Sequence, residues 1–129
     1  MRKKAIVGLL ALLAAACATS SRTGQSGLFR IEVARLARDD GRAALRVIVR
    51  NDSPDPLEVM DFSVRPAEGE SAFEALSTTG PFRLAPGQEA TSSFALPAGS
   101  ALPGRVSVDV TWRREDGAME RRSFWADLP

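Results

Sequence analysis

The sequence predicts a single antiparallel β-sandwich of seven or eight strands over residues 28–129, preceded by a segment outside the fold. Three observations predict it. Apolar residues recur at every second position in several runs after Gly27, the period of a half-buried strand. Turn residues punctuate those runs at a spacing of roughly ten residues. No run after Gly27 shows a convincing helical period.

The first element is not a strand. Arg2, Lys3 and Lys4 form a positive start, and Ala5 to Ala16 follow without a charged or polar side chain. The small residues Ala14-Ala15-Ala16 run up to Cys17, the only cysteine. Charge, apolar run and small residues in that order make an export signal. The apolar run is about a dozen residues, short of the roughly 20 that a membrane-spanning helix needs. This stretch resembles a bacterial lipoprotein signal, whose small-residue lipobox ends in cysteine. Ala15, Ala16 and Cys17 match it, whereas Ala14 stands where Leu is usual and Leu13 lies one position early. The resemblance implies removal of residues 1–16, lipidation of Cys17 and attachment to a membrane. An ordinary secretory signal with a chance cysteine near its cleavage site is the plain alternative. Each buried CH₂ of an acyl chain contributes about 0.8 kcal/mol, so several chains are needed for a durable anchor. Ala18 follows the cysteine. In enteric-type bacteria a residue other than Asp there implies the outer membrane, with the domain on its periplasmic face.

Residues 17–27 complete the anchor. Thr19 to Gly27, TSSRTGQSG, is small and polar and reads as a tether with a reach of about 15–20 Å. The strands begin after it. Phe29, Ile31 and Val33 alternate in one run, and Leu45, Val47 and Val49 in the next. Between them stands Asp39-Asp40-Gly41. A three-residue loop with Gly41 left-handed sets Val33 against Val47 and Ile31 against Val49. A two-residue loop would set Ala34 and Glu32 there instead, turning the apolar set outward. The three-residue loop is therefore predicted. Leu57 to Arg65 forms the third strand, with Met60, Phe62 and Val64 inward. A weak strand lies within Ser71 to Ser77 around Phe73, and a short one at Phe82–Leu84. Pro86-Gly87 is suited to the middle of a type II turn before a strand from Glu89 to Leu96. Arg105 to Arg114 puts Val106, Val108, Val110 and Trp112 on one face, and Ser107, Asp109 and Thr111 on the other. Glu115-Asp116-Gly117 repeats the acidic-Asp-Gly turn, and a last strand spans Ala118 to Ala126.

The stretches LRVIVRNDSPDPLEV (Leu45–Val59) and LAPGQEATSSFAL (Leu84–Leu96) resemble parts of small bacterial Ig-like or fibronectin-III-like envelope modules. They match the strand–Asn–loop–strand and the Pro-Gly-turned central strand of such modules. The resemblance implies a module that binds or spaces rather than catalyses.

Composition narrows the chemistry. The chain is +1; without Arg2, Lys3 and Lys4, fourteen basic residues face sixteen acidic ones, net −2. A near-neutral domain argues against a nucleic-acid partner, which requires a basic face. No histidine exists and both lysines lie in the signal, so a Ser or Thr nucleophile has no conventional base. Paired carboxylates remain the one route to catalysis, among Asp39-Asp40, Asp52/Asp55/Glu58/Asp61 and Glu115-Asp116. Two of these sets serve hairpin turns. Transition metals want His or Cys, and no such site is predicted. Asn51-Asp52-Ser53-Pro54-Asp55 carries oxygens but lacks the spacing and glycine of the calcium loop, and reads as an inter-strand loop. No cofactor motif occurs.

Two binding candidates remain. Arg113, Arg114, Arg121 and Arg122 flank the last hairpin and suit phosphate or carboxylate groups. The plain reading is a solvated hairpin with Arg paired to Glu115 and Glu120. Phe124 and Trp125 are adjacent, so only one points inward. A three-residue 115–117 loop sets Val108 against Phe124 and Val106 against Ala126. That leaves Trp125 outside as a contact for a glycan or a protein. It also sets Arg122 awkwardly beside Val110. A two-residue loop reverses the choice, and the plain reading has Trp125 covered by the N-terminal segment or part of the core. The reading is a non-catalytic accessory that binds an envelope protein partner, anchored through Cys17. A glycan- or cell-wall-binding module using Trp125 and the arginine hairpin is the alternative, and a carboxylate enzyme a distant third.

Overall fold

The structure is a computed structural model that describes residues 28–67 and 73–128. Cys17 and the residues expected to form the signal and the tether lie outside the described residues. The strands are β1 (Phe29–Leu36), β2 (Ala44–Asn51), β3 (Leu57–Pro66), β4 (Glu74–Ala75), β5 (Phe82–Leu84), β6 (Glu89–Ala95), β7 (Arg105–Arg113) and β8 (Met119–Asp127). They form two four-stranded antiparallel sheets, ordered β1-β2-β6-β4 and β5-β3-β7-β8. This is the predicted β-sandwich.

Alternation fills the space between the sheets. Val33, Val47, Val49 and Phe94 come from one sheet, and Val59, Phe62, Val108 and Trp112 from the other, all essentially inaccessible. Two aromatic contacts join the layers. Phe29 meets Trp112 edge-on at 5.0 Å, and Phe62 meets Phe94 at 6.1 Å and 61°. Both geometries favour the positive ring edge over the negative face.

Both outer hairpins have the register expected of three-residue loops. Val33 pairs with Val47 and Ile31 with Val49, and Gly41 has φ 78°. Val108 pairs with Phe124 and Val106 with Ala126, and Gly117 has φ 89°. In the second turn Gly117 N–H donates to Arg114 O and Arg114 N–H to Ala118 O, both at 2.9 Å.

β3 departs from its prediction. Leu57 and Val59 face the core, then the register slips between Val59 and Asp61, and Phe62 and Val64 resume inward. Met60 is the extra residue of a β-bulge and is only half-buried rather than part of the inward row. A neighbouring loop packs on the bulge. Gly80 lies so near it that a Cβ there would stand 2.3 Å from the Met60 carbonyl oxygen. Thr79 Oγ1 donates to Asp61 Oδ1 at 2.7 Å. The weak strand around Phe73 shrinks to Glu74–Ala75, with Phe73 half-buried against the core.

Asn51 is the polar centre of one end of the sandwich. It is fully buried at the end of β2. Its Nδ2 donates to Asp55 O at 2.8 Å and Leu84 O at 2.9 Å, and its Oδ1 accepts from Ser53 N–H at 2.9 Å. Its carbonyl accepts from Gly87 N–H at 2.7 Å, and its own N–H donates to Gln88 O. One side chain thus ties β2 to the loop before β3 and to the end of β5. Gly87, at φ 85°, supplies the left-handed position of the Pro86-Gly87 turn.

Candidate binding face

The predicted candidates all lie on or near the β7–β8 hairpin, but the pleat divides them. Met119, Arg121, Ser123 and Trp125 share the outer face of β8, because alternate residues point to one side. Phe124 and Ala126 point inward and are buried. Arg113, opposite Met119, joins the outer set. Arg114 has left the strand and is held by the turn. It pairs with Asp116 at 2.9 Å and with Glu120 at short range. Arg122, opposite Val110, sits on the other side of β8; it is exposed and has no ion pair among the described residues. The awkward pairing is resolved by position: β8 is an edge strand, so the guanidinium reaches water while Val110 stays covered. The structure therefore places Arg113 and Arg121 on the same sheet face as Trp125, with Arg113 at the Met119 end, and separates Arg114 and Arg122 from them.

Trp125 is 43% exposed and Met119 52%, the two large hydrophobics left open among the described residues. They bracket Arg121 along one strand face. At about 3.3 Å per residue, the six-residue step between them spans roughly 20 Å.

Beneath this surface lies a polar cluster that the sequence reading passed over. Asp109 is 4% exposed although it is on the outer face. Its Oδ2 accepts from Arg65 Nε at 2.8 Å, and its Oδ1 from Ser123 Oγ at 2.5 Å and Ser107 Oγ at 3.3 Å. Arg121 Nη2 stands 3.7 Å away. Burial pushes the Asp109 carboxyl up, but the Arg65 hydrogen bond and charge, with the Ser123 and Ser107 hydroxyls, outweigh it and hold the group below its ordinary value. The cluster braces β3, β7 and β8 against one another. Through Ser123 it holds the strand that carries Arg121 and Trp125.

This arrangement can bind but holds no evident reacting pair. Asp109 is an ionised acceptor enclosed by donors, the reverse of a carboxyl poised for proton transfer. Among the described residues no group of three or more His, Cys, Asp or Glu is placed to hold a metal. The Asn51 amide, a calcium candidate by composition, is committed to the fold.

No family model and no curated protein sequence matches the chain. Among solved structures, the yeast GGA1 GAE domain is similar with a TM-score of 0.59 at 17% identity, covering 82% of this chain and 96% of that one. A FixG-related protein from Vibrio parahaemolyticus is also similar, with a TM-score of 0.43 and 9% identity over 76% of this chain and 94% of that one. The GAE domain is an Ig-like appendage fold, and the likeness bears out the Ig-like class of this sandwich.

Proposed function

We propose that this chain is a membrane-tethered, non-catalytic Ig-like module of the bacterial cell envelope that binds a protein partner through the outer face of β7–β8. The observation that carries it is the placement of Trp125 and Met119 on one sheet face, with Arg121 between them and Arg113 beside them. Exposed Trp and Arg on a rigid platform are the side chains that dominate protein interfaces. The platform is rigid because Asp109 locks the strands from below. The tether half of the reading rests on the order of Arg2-Lys3-Lys4, the apolar run and Ala15-Ala16-Cys17.

Each half has its own test. Cys17→Ser should abolish acyl labelling and release the protein from the membrane fraction; persistent labelling refutes the lipid anchor. Trp125→Ala should weaken partner co-purification from membranes by about thirtyfold or more, the effect of losing an interface hot spot of about 2 kcal/mol. Undiminished co-purification refutes the face. Sedimentation with purified peptidoglycan that Trp125→Ala abolishes would replace the protein partner with a glycan.

A further inference from the structure

At the end of the sandwich where β1 begins, a cleft of about 350 Å³ opens between Leu28, the Ser53–Leu57 loop and the β7–β8 turn. Leu28, Pro54, Pro56 and Leu57 give it apolar walls. Trp112 lies against it, fully buried, and its indole nitrogen has no hydrogen-bond acceptor among the described residues. Buried tryptophans usually satisfy this donor. The walls therefore suit an apolar group.

The rim adds a sign. Arg114 is answered by Asp116 and Glu120. The carboxylates of Asp55 and Glu115, both exposed at the rim, make no ion pair among the described residues. The mouth is thus net acidic and complements a cation. The residues before Leu28, Thr19 to Gly27, include one cation, Arg22, and no large apolar side chain.

We infer that this cleft is a second recognition site, for an extended segment of a partner polypeptide carrying one apolar side chain next to a Lys or Arg. The apolar side chain sits against Pro54, Pro56 and Leu57. The cation faces Asp55 and Glu115. The inference rests on the reading of the chain as a protein-binding module but concerns a different surface from the Trp125 face.

The test uses the protein made from the full sequence, in non-ionic detergent micelles and ¹⁵N-labelled at its two tryptophan indoles. Trp125→Phe assigns the Trp112 indole signal. The probes are blocked hexapeptides with Leu beside Arg, and controls with Glu for Arg or Ser for Leu. The Leu-Arg peptide should shift the Trp112 N–H signal saturably and leave the Trp125 signal in place. The Leu-to-Ser control should not bind. The Arg-to-Glu control, and the Glu115→Gln or Asp55→Asn proteins with the Leu-Arg peptide, should each bind about two- to fivefold more weakly, the reach of exposed charge pairs. No saturable shift of Trp112, equal binding of the Arg and Glu peptides, or a shift of Trp125 alone each overturns the inference. Because the readout is Trp112, failure here is distinct from failure of the outer face.

Discussion

Truncating Asn51 should unfasten one end of the sandwich. Its side chain makes three hydrogen bonds in a fully buried setting: two donations, to Asp55 O and Leu84 O, and one acceptance, from Ser53 N–H. Each neutral hydrogen bond contributes about 1 kcal/mol net, and each buried group left unpaired costs about 1–3 kcal/mol. Asn51→Ala is therefore expected to destabilise the domain by about 3 kcal/mol. For a domain of this size that lowers Tm by roughly 12–24 °C. Asn51→Asp keeps the acceptor for Ser53 N–H but turns the donor into a carboxylate oxygen facing two carbonyls, so it should cost at least as much. Urea unfolding followed by tryptophan fluorescence measures both, with Ser53→Ala as the milder comparison. That change loses only the Oγ bonds with Asp55 O and Asp55 N–H. A loss below about 0.5 kcal/mol for Asn51→Ala, the scale of an ordinary surface change, would refute the assignment of Asn51 as the brace of this end.

Two further predictions concern the frame. Gly80→Ala places a Cβ 2.3 Å from the Met60 carbonyl oxygen, a backbone atom of the bulge, so it should cost about 1–3 kcal/mol. Gly41→Ala meets open space and carries only its left-handed φ of 78°, so thermal unfolding should rank Gly80→Ala as the more damaging; the reverse order refutes the contact. Asp109→Asn removes an ionised acceptor from Arg65 and should cost about 1–2 kcal/mol near neutral pH, discounted because Arg65 and Arg121 are more than half exposed. The Asp109 carboxyl is held below its ordinary value, so its contribution is present above about pH 4 and is lost as pH falls through the folded value. The gap between wild type and Asp109→Asn should therefore narrow on acidification, and a gap independent of pH would show that the charge contributes nothing.

The two hairpins were legible because each carries its own ruler. An acidic-Asp-Gly loop of fixed length, flanked by alternating apolar residues, permits one register that buries the apolar set. For the second hairpin the sequence left two loop lengths open, and the structure decides for the one that buries Phe124 and exposes Trp125. The bulge was harder to see. Leu57 and Val59 are in phase with each other, as are Phe62 and Val64, and the change of parity between the pairs marks Met60 as the extra residue. Reading the inward row from Met60 through Val64 hid that change. Burial of Asp109 was not legible from β7 alone, where a polar residue on the outer face reads as solvated. It depends on Ser63 and Ser123 flanking it across two strand pairs, and on Arg65 reaching over from β3. The Trp112 cleft depends on three segments distant in sequence, and no local pattern announces it.

On the proposed reading a protein partner docks on the outer face of β7–β8. Position-resolved photocrosslinking in intact cells tests it most directly, with a photoreactive phenylalanine analogue at Met119 and, in a separate protein, at Thr91. Met119 lies on the proposed face, whereas Thr91 is exposed on the opposite sheet. A single discrete protein adduct from the Met119 position, absent from the Thr91 position and lost when Trp125→Ala is added, is the result predicted. Equal adducts from both positions, or an adduct that survives Trp125→Ala, would contradict it.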